Sequence, residues 1–230
     1  MGRKRITALV LAVLMALGLT GCGADDSKNK DKDVGMSIAP AQLWEEEQNL
    51  AQLLALDIES SHIFEFQAGG AQSLQLNTYE LVDGDWSRIS GGGGAETAAE
   101  TGRIALTFGK ITDGVRLAFQ TEDQFMSTSY RPEPGDDVSG MTFATSALDG
   151  AQTIELEQEI PLVLQVATAK NEVRVYPVDY FGMPRELAKH DYEHVYAITV
   201  MFSAKSVGDL SRHVPSAAPN EPSAEPSPET

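Results

Sequence analysis

Two periodicities divide the chain. From Pro40 to about Leu56 the apolar positions recur as on a helix: at 100° per residue Leu43, Leu50 and Leu54 align, with Trp44 and Ala51 beside them. Gln48, Asn49 and Gln52 fall elsewhere on the wheel. Proline suits the first helical position, and Glu45, Glu46 and Glu47 lie near the end where the macrodipole favours acids. The predicted helix packs its stripe on the rest of the domain as a lid. A stripe left facing solvent would instead mark a docking face for a partner.

Beyond the helix the period drops to two. Residues 103–108 (RIALTF) and 115–120 (VRLAFQ) alternate, and Asp113-Gly114 between them is a type I′ hairpin signal. Asp83-Gly84 makes the same statement between Leu74–Val82 and Trp86–Ile89. Ile154/Leu156, then Ile160/Leu162/Leu164/Val166, then Val173/Val175 continue the alternation, with Lys170-Asn171 as a turn. Tyr196, Ile198, Val200 and Phe202 share one face of a long strand ending near Ala204. Its β-branched and aromatic content places it in the middle of a sheet. A short helix opened by Pro184 is expected over 183–189. Segments 90–102, with Gly91–Gly94, and 131–140 read as loose loops. Many short strands with almost no helix between them predict a mainly β domain, an antiparallel β-sandwich with one N-terminal helix. A small β-barrel is the alternative.

The first 22 residues follow neither period. Arg3, Lys4 and Arg5 precede an apolar run from Ile6 to Thr20, too short for a comfortable spanning helix of roughly 20 residues. The run ends in Leu19-Thr20-Gly21-Cys22, and Cys22 is the only cysteine. This layout resembles the signal and lipobox of bacterial lipoproteins. The resemblance implies cleavage between Gly21 and Cys22 and a diacylglyceryl group on the Cys22 thiol. The expected organisation is a signal peptide at 1–21, lipidated cysteine and flexible tether at 22–39, one domain at 40–205 and a disordered Pro/Ser/Glu-rich tail at 206–230. The polar residues after Cys22 cannot repay the entropy of folding and give the tether an r.m.s. reach of roughly 23 Å.

Charge narrows the partners. The formal net charge is −17, from 34 acidic and 17 basic side chains, and loss of the leader with its three basic residues would make it −20. Such a surface repels nucleic-acid phosphates and anionic headgroups, so no nucleic-acid partner is expected and attachment to the membrane falls to the lipid. Without a second cysteine the domain has no internal disulfide and stands on its core.

The chemistry-bearing motifs are sparse. No G-x-S-x-G elbow or S-x-x-K pair occurs, and the glycine run lacks the Lys-Ser/Thr of a phosphate loop. His190 and His194 have the i, i+4 spacing of a zinc pair, but they straddle the entry into a strand and need not converge. His62 and His213 stand alone. Glu122, Asp123, Glu133, Asp136 and Asp137 gather in neighbouring loops, where calcium would seek six to eight oxygens. Nothing there follows the EF-hand order, and a solvated acidic loop accounts for them. No catalytic residue, no metal ligand and no cofactor beyond the lipid is therefore assigned. Among the aromatics Tyr79, Trp86, Tyr130, Tyr176, Tyr180 and Phe181, core packing is the ordinary role. Tyr176, Tyr180 and Phe181, beside Pro177, are the most site-like.

The helix with its EEEQ, YELVDGDW, ISGGGG, QEIPLVLQV with KNEV, and YEHVYAITVMFS together resemble uncharacterised lipoproteins of Gram-positive gut Firmicutes. That likeness implies a lipid-anchored protein on the outer face of the cytoplasmic membrane and brings no activity with it. The expected role is a non-catalytic binding or interaction module facing a glycan or a protein. The alternatives are a cell-envelope hydrolase acting on glycans through carboxylates the sequence does not locate, and an envelope sensor or regulator.

Overall fold

A computed structural model of the chain describes residues 35–53, 60–97, 99–132 and 138–210, and the folded unit starts at Gly35. Residues 1–21, Cys22, most of the expected tether, His213, Glu133, Asp136, Asp137 and the tail from 211 lie outside the described residues. In chain order the elements are β1 (Ser37–Pro40), α1 (Glu45–Leu53), β2 (Ser61–Gln67), β3 (Ser73–Val82), β4 (Asp85–Glu96), β5 (Thr101–Thr107), β6 (Val115–Gln120), β7 (Phe125–Tyr130), β8 (Thr142–Ala147), β9 (Gln152–Thr153), β10 (Glu159–Thr168), α2 (Pro184–Ala188), β11 (His194–Ser203) and α3 (Val207–Leu210). Single 3-10 turns occupy Ile111–Asp113 and Val178–Gly182.

The strands form two antiparallel sheets, so the fold is the sandwich that the alternation predicts. Sheet A runs β7-β6-β5-β2-β1-β9 and sheet B runs β4-β3-β11-β10-β8. β11 is central in sheet B, as its composition requires. Its Tyr196, Ile198, Val200 and Phe202 are fully buried. They meet the inner face of sheet A, where Phe66 packs on Phe202 at 5.2 Å and on Phe119 at 6.0 Å between ring centroids. Between the sheets Thr78 of β3 and Tyr130 of β7 share a hydroxyl hydrogen bond of 3.0 Å. Gln165 of β10 accepts from the Ile111 amide at 2.9 Å and donates to Thr145 Oγ1 at 2.8 Å.

The outer face of sheet B is covered by the connection between β10 and β11. Trp86 Nε1 donates to the Phe181 carbonyl at 2.7 Å, and Val178 and Leu187 are buried. On the same face Glu159 of β10 accepts from Asn77 Nδ2 at 2.7 Å, from Tyr79 Oη at 2.9 Å and from Thr199 Oγ1, lacing three strands together. The Tyr79 hydroxyl is pushed well above its usual value by burial and by the Glu159 carboxylate.

Several elements depart from the sequence reading. β1 begins at Ser37, inside the expected tether, because Ile38 is fully buried and the strand pairs with both β2 and β9. Pro40 therefore ends a strand rather than opening the helix, which starts at Glu45. The glycine run 91–94 is strand, not loop: Gly93 pairs with Leu76 and Gly94 with Gln75. The run suits close approach of the sheets, since a Cβ on Gly93, at φ +154°, would lie 3.3 Å from Leu117 Cδ2. The Asp83-Gly84 hairpin is as predicted, with φ of 53° and 84° at the two corner residues. Asp113-Gly114 is not a two-residue corner; the β5–β6 hairpin closes over a longer loop containing the 3-10 turn. Val173 and Val175 belong to no strand, and α3 occupies the start of the expected tail.

Candidate functional site

Three surfaces gather the chemistry. The first holds the aromatic residues singled out by the sequence, and the structure divides them. Tyr176 is buried, its ring 5.3 Å from Tyr180 and 4.9 Å from His190, and its hydroxyl is 3.2 Å from that of Tyr192. Burial, then the Tyr192 hydroxyl, push the Tyr176 phenol up to about 12. Phe181 joins another stack, 5.0 Å from Trp86 and 5.6 Å from Tyr79. These side chains are engaged with one another and with sheet B.

The second is a cavity of about 520 Å³ at one end of sheet B, lined by Glu80, Asp83, Leu187, Asp191, Glu193 and His194 among others. His194 Nδ1 and Glu80 Oε1 lie 2.8 Å apart with side chains only 8% and 10% exposed. Burial of such a pair is costly unless both partners are matched. The Thr168 hydroxyl, then the amides of Glu193 and Ala169, hold the Glu193 carboxyl below the usual carboxylate range. Lys170 Nζ sits 3.3 Å from Asp191 Oδ2. His190, its ring tilted at 39° against Tyr176, does not line the cavity, so the two histidines do not converge. The pairing of Glu80 with His194 spans 114 positions, which no local pattern could reveal.

The third surface is built by α1. Glu47 and Ala51 of the helix, and Leu43 just before it, are half-buried at intervals of four, while no residue of the helix is fully buried. α1 lies across the outer face of sheet A, where alternation places Ile63, Ala105 and Ala118 opposite the buried Phe64, Ile104 and Phe119. A polar contact adds to the apolar one of Leu43 and Ala51. Glu47 Oε1 accepts from Arg103 Nη1 of β5 at 2.6 Å, and Glu47 Oε2 accepts from the Trp44 amide at 3.0 Å, closing a capping interaction. That amide first, then the Arg103 guanidinium, hold the Glu47 carboxyl below its ordinary value.

Between helix and sheet two adjoining cavities, of about 350 and 530 Å³, open along Leu43, Leu50, Ala51, Ile63, Ala105 and Phe125. Of the cavity-lining side chains Leu50 is 56% and Phe125 68% exposed, and Trp44 and Leu53 of the same helical segment are 70% and 81% exposed. The expected lid thus presents much of its stripe to solvent, and Leu54 lies outside the described residues. Phe125 is the contributor that the sequence reading missed. Its signal is faint, one aromatic at the head of an uncharged FMSTSY strand.

Comparison with family models, with curated proteins and with solved structures finds no match to this chain.

Proposed function

We propose that the protein is a lipid-anchored extracytoplasmic module that docks a protein partner on the apolar surface between α1 and the outer face of sheet A. The carrying observation is an open groove lined by the exposed Leu50 and Phe125, on a segment whose Trp44 and Leu53 are exposed as well. Apolar side chains clustered beside a groove, rimmed by charge, are the usual signature of a protein-docking face. The rim is acidic: Glu45 and Glu46 are exposed at the head of α1. The complementary partner is an apolar segment flanked by lysine or arginine. An anionic bilayer is the poorer occupant, because the same glutamates oppose its headgroups.

The test uses the full chain and two synthetic amphipathic helices, one of leucine and lysine, the other of leucine and glutamate. Saturable binding of the lysine helix, read as a blue shift of Trp44 emission that Trp44→Phe removes, is expected. Leu50→Glu should weaken it by about tenfold or more. Equal response to both helices, or none to either, would overturn the reading.

A further inference from the structure

The sandwich has four sheet edges, and they are protected unequally. β9 spans only two residues. β4 is irregular, with register shifts between Leu76 and Tyr79, and carries Asp85, Arg88 and Glu96. β8 is half-buried over five of its six residues, with Lys110 Nζ 4.8 Å above the Phe143 ring. Bulges, brevity and charge are the devices that keep edges from pairing. β7 has none of them. It is regular from Gln120↔Phe125 to Val115↔Tyr130, contains no charge, proline or glycine, and exposes Phe125, Ser127, Thr128 and Ser129.

We propose that β7 is a self-pairing edge, on which a second copy of this chain adds its own β7 antiparallel about a two-fold axis at Ser127. The occupant follows from charge. The turn before β7 presents Glu122 and Asp123, both exposed, whereas Arg131 follows its far end, with Arg116 of the neighbouring strand opposite Ser129; Glu133, Asp136 and Asp137, next along the chain, lie outside the described residues. An antiparallel copy sets Asp123 of each strand against Arg131 of the other, a self-complementary pairing that a two-fold interface repeats twice. At the Arg131 end Arg116, Ser129, Tyr130 and Arg131 line an open cleft of about 440 Å³. Asp113 also lines it, its backbone carbonyl accepting from Arg131 Nε at 3.2 Å.

Geometry fixes the register. Opposed residues of an antiparallel pair point to the same face, so the axis must pass through a residue facing its own copy. Centred on Ser127, the pairing sets Phe125 against Ser129 and Asp123 against Arg131. Centring on Thr128 parts Asp123 from Arg131 by two positions. The axis stands perpendicular to the sheet, so both copies keep α1 and its groove on one side. Two docking grooves then face the same way, and a bivalent partner gains from their proximity. Self-pairing itself does not depend on what the groove binds.

The experiment is done on the full chain in membranes under copper–phenanthroline oxidation. Ser127→Cys places two thiols opposite each other, within the Cα spacing of roughly 4.4–6.8 Å that a disulfide accepts. A covalent dimer is expected for Ser127→Cys, and none for Ser129→Cys or for the unsubstituted chain. In parallel, sedimentation of the detergent-solubilised chain should show dimerisation weakened about tenfold by Asp123→Arg or Arg131→Asp and regained in the double variant. Equal cross-linking at 127 and 129, no cross-linking at either, or a monomer at every concentration overturns the proposal. So does a double variant that fails to recover, which would assign the edge to a different protein.

Discussion

Gly102 shows how single positions hold the sandwich to its spacing. It pairs with Phe66 across β2 and β5, and a Cβ built on it would lie 2.6 Å from Phe66 Cζ and 2.7 Å from the Gln120 carbonyl oxygen. The ring could shift, but the carbonyl belongs to the β6 ladder and cannot. Overpacking of this kind costs about 1–3 kcal/mol. Gly102→Ala should therefore lower the melting temperature by about 2–12 °C, at about 2–4 °C per kcal/mol for a domain of this size. Gly69→Ala is the control, since nothing lies within 4 Å of its Cβ position; equal melting of the two variants would contradict the steric account. The sequence shows the glycine but not its neighbours, and it suggested a loose loop. Only the long-range pairing turns that residue from flexible to obligatory.

Among the elements, α1 meets sheet A through half-buried Leu43 and Ala51 and through the Glu47–Arg103 pair, and that pair makes its head acid-sensitive. The Glu47 carboxyl is lowered by the Trp44 amide and by Arg103. A carboxyl whose folded value is depressed contributes stability that is present above its unfolded value and lost as pH falls through the folded one. The helix head should therefore loosen below about pH 4, near and beneath the ordinary glutamate range. Followed by NMR, the Trp44 amide proton should titrate with an apparent value below that range, and Glu47→Gln should flatten the curve. A titrating amide in the glutamine variant would remove Glu47 as the cause. Where elements were legible in the sequence, a local rule sufficed: the 2-residue period of β11, the corner at Asp83-Gly84, the proline opening α2. Elsewhere the deciding partner lies far along the chain. β1 exists because Ile38 finds the core between β2 and β9, and the glycine strand of β4 exists because β3 pairs with it. The docking surface was half legible. The apolar stripe of α1 is periodic, but Arg103, Ile63 and Phe125, which complete the groove, come from three other strands.

At the scale of the whole molecule, charge and anchorage bear on each other. With a net charge of −17, the chain is repelled by anionic headgroups, and among the described residues no helix is long and apolar enough to cross a membrane. Under the proposed function, attachment rests on the lipid at Cys22. Two acyl chains contribute about 0.8 kcal/mol per buried methylene, enough for stable anchorage where one chain is marginal. Cys22→Ala should abolish incorporation of labelled palmitate and release the protein to the medium, or leave it as a precursor that keeps its leader. Fractionation alone is ambiguous, because the apolar run Ile6 to Thr20 would retain an uncleaved precursor at the membrane. The label separates the cases: it requires the thiol, whereas retention does not. Palmitate still incorporated by the alanine variant would sink the assignment of Cys22, and with it the view of the domain as a module held at the surface by lipid.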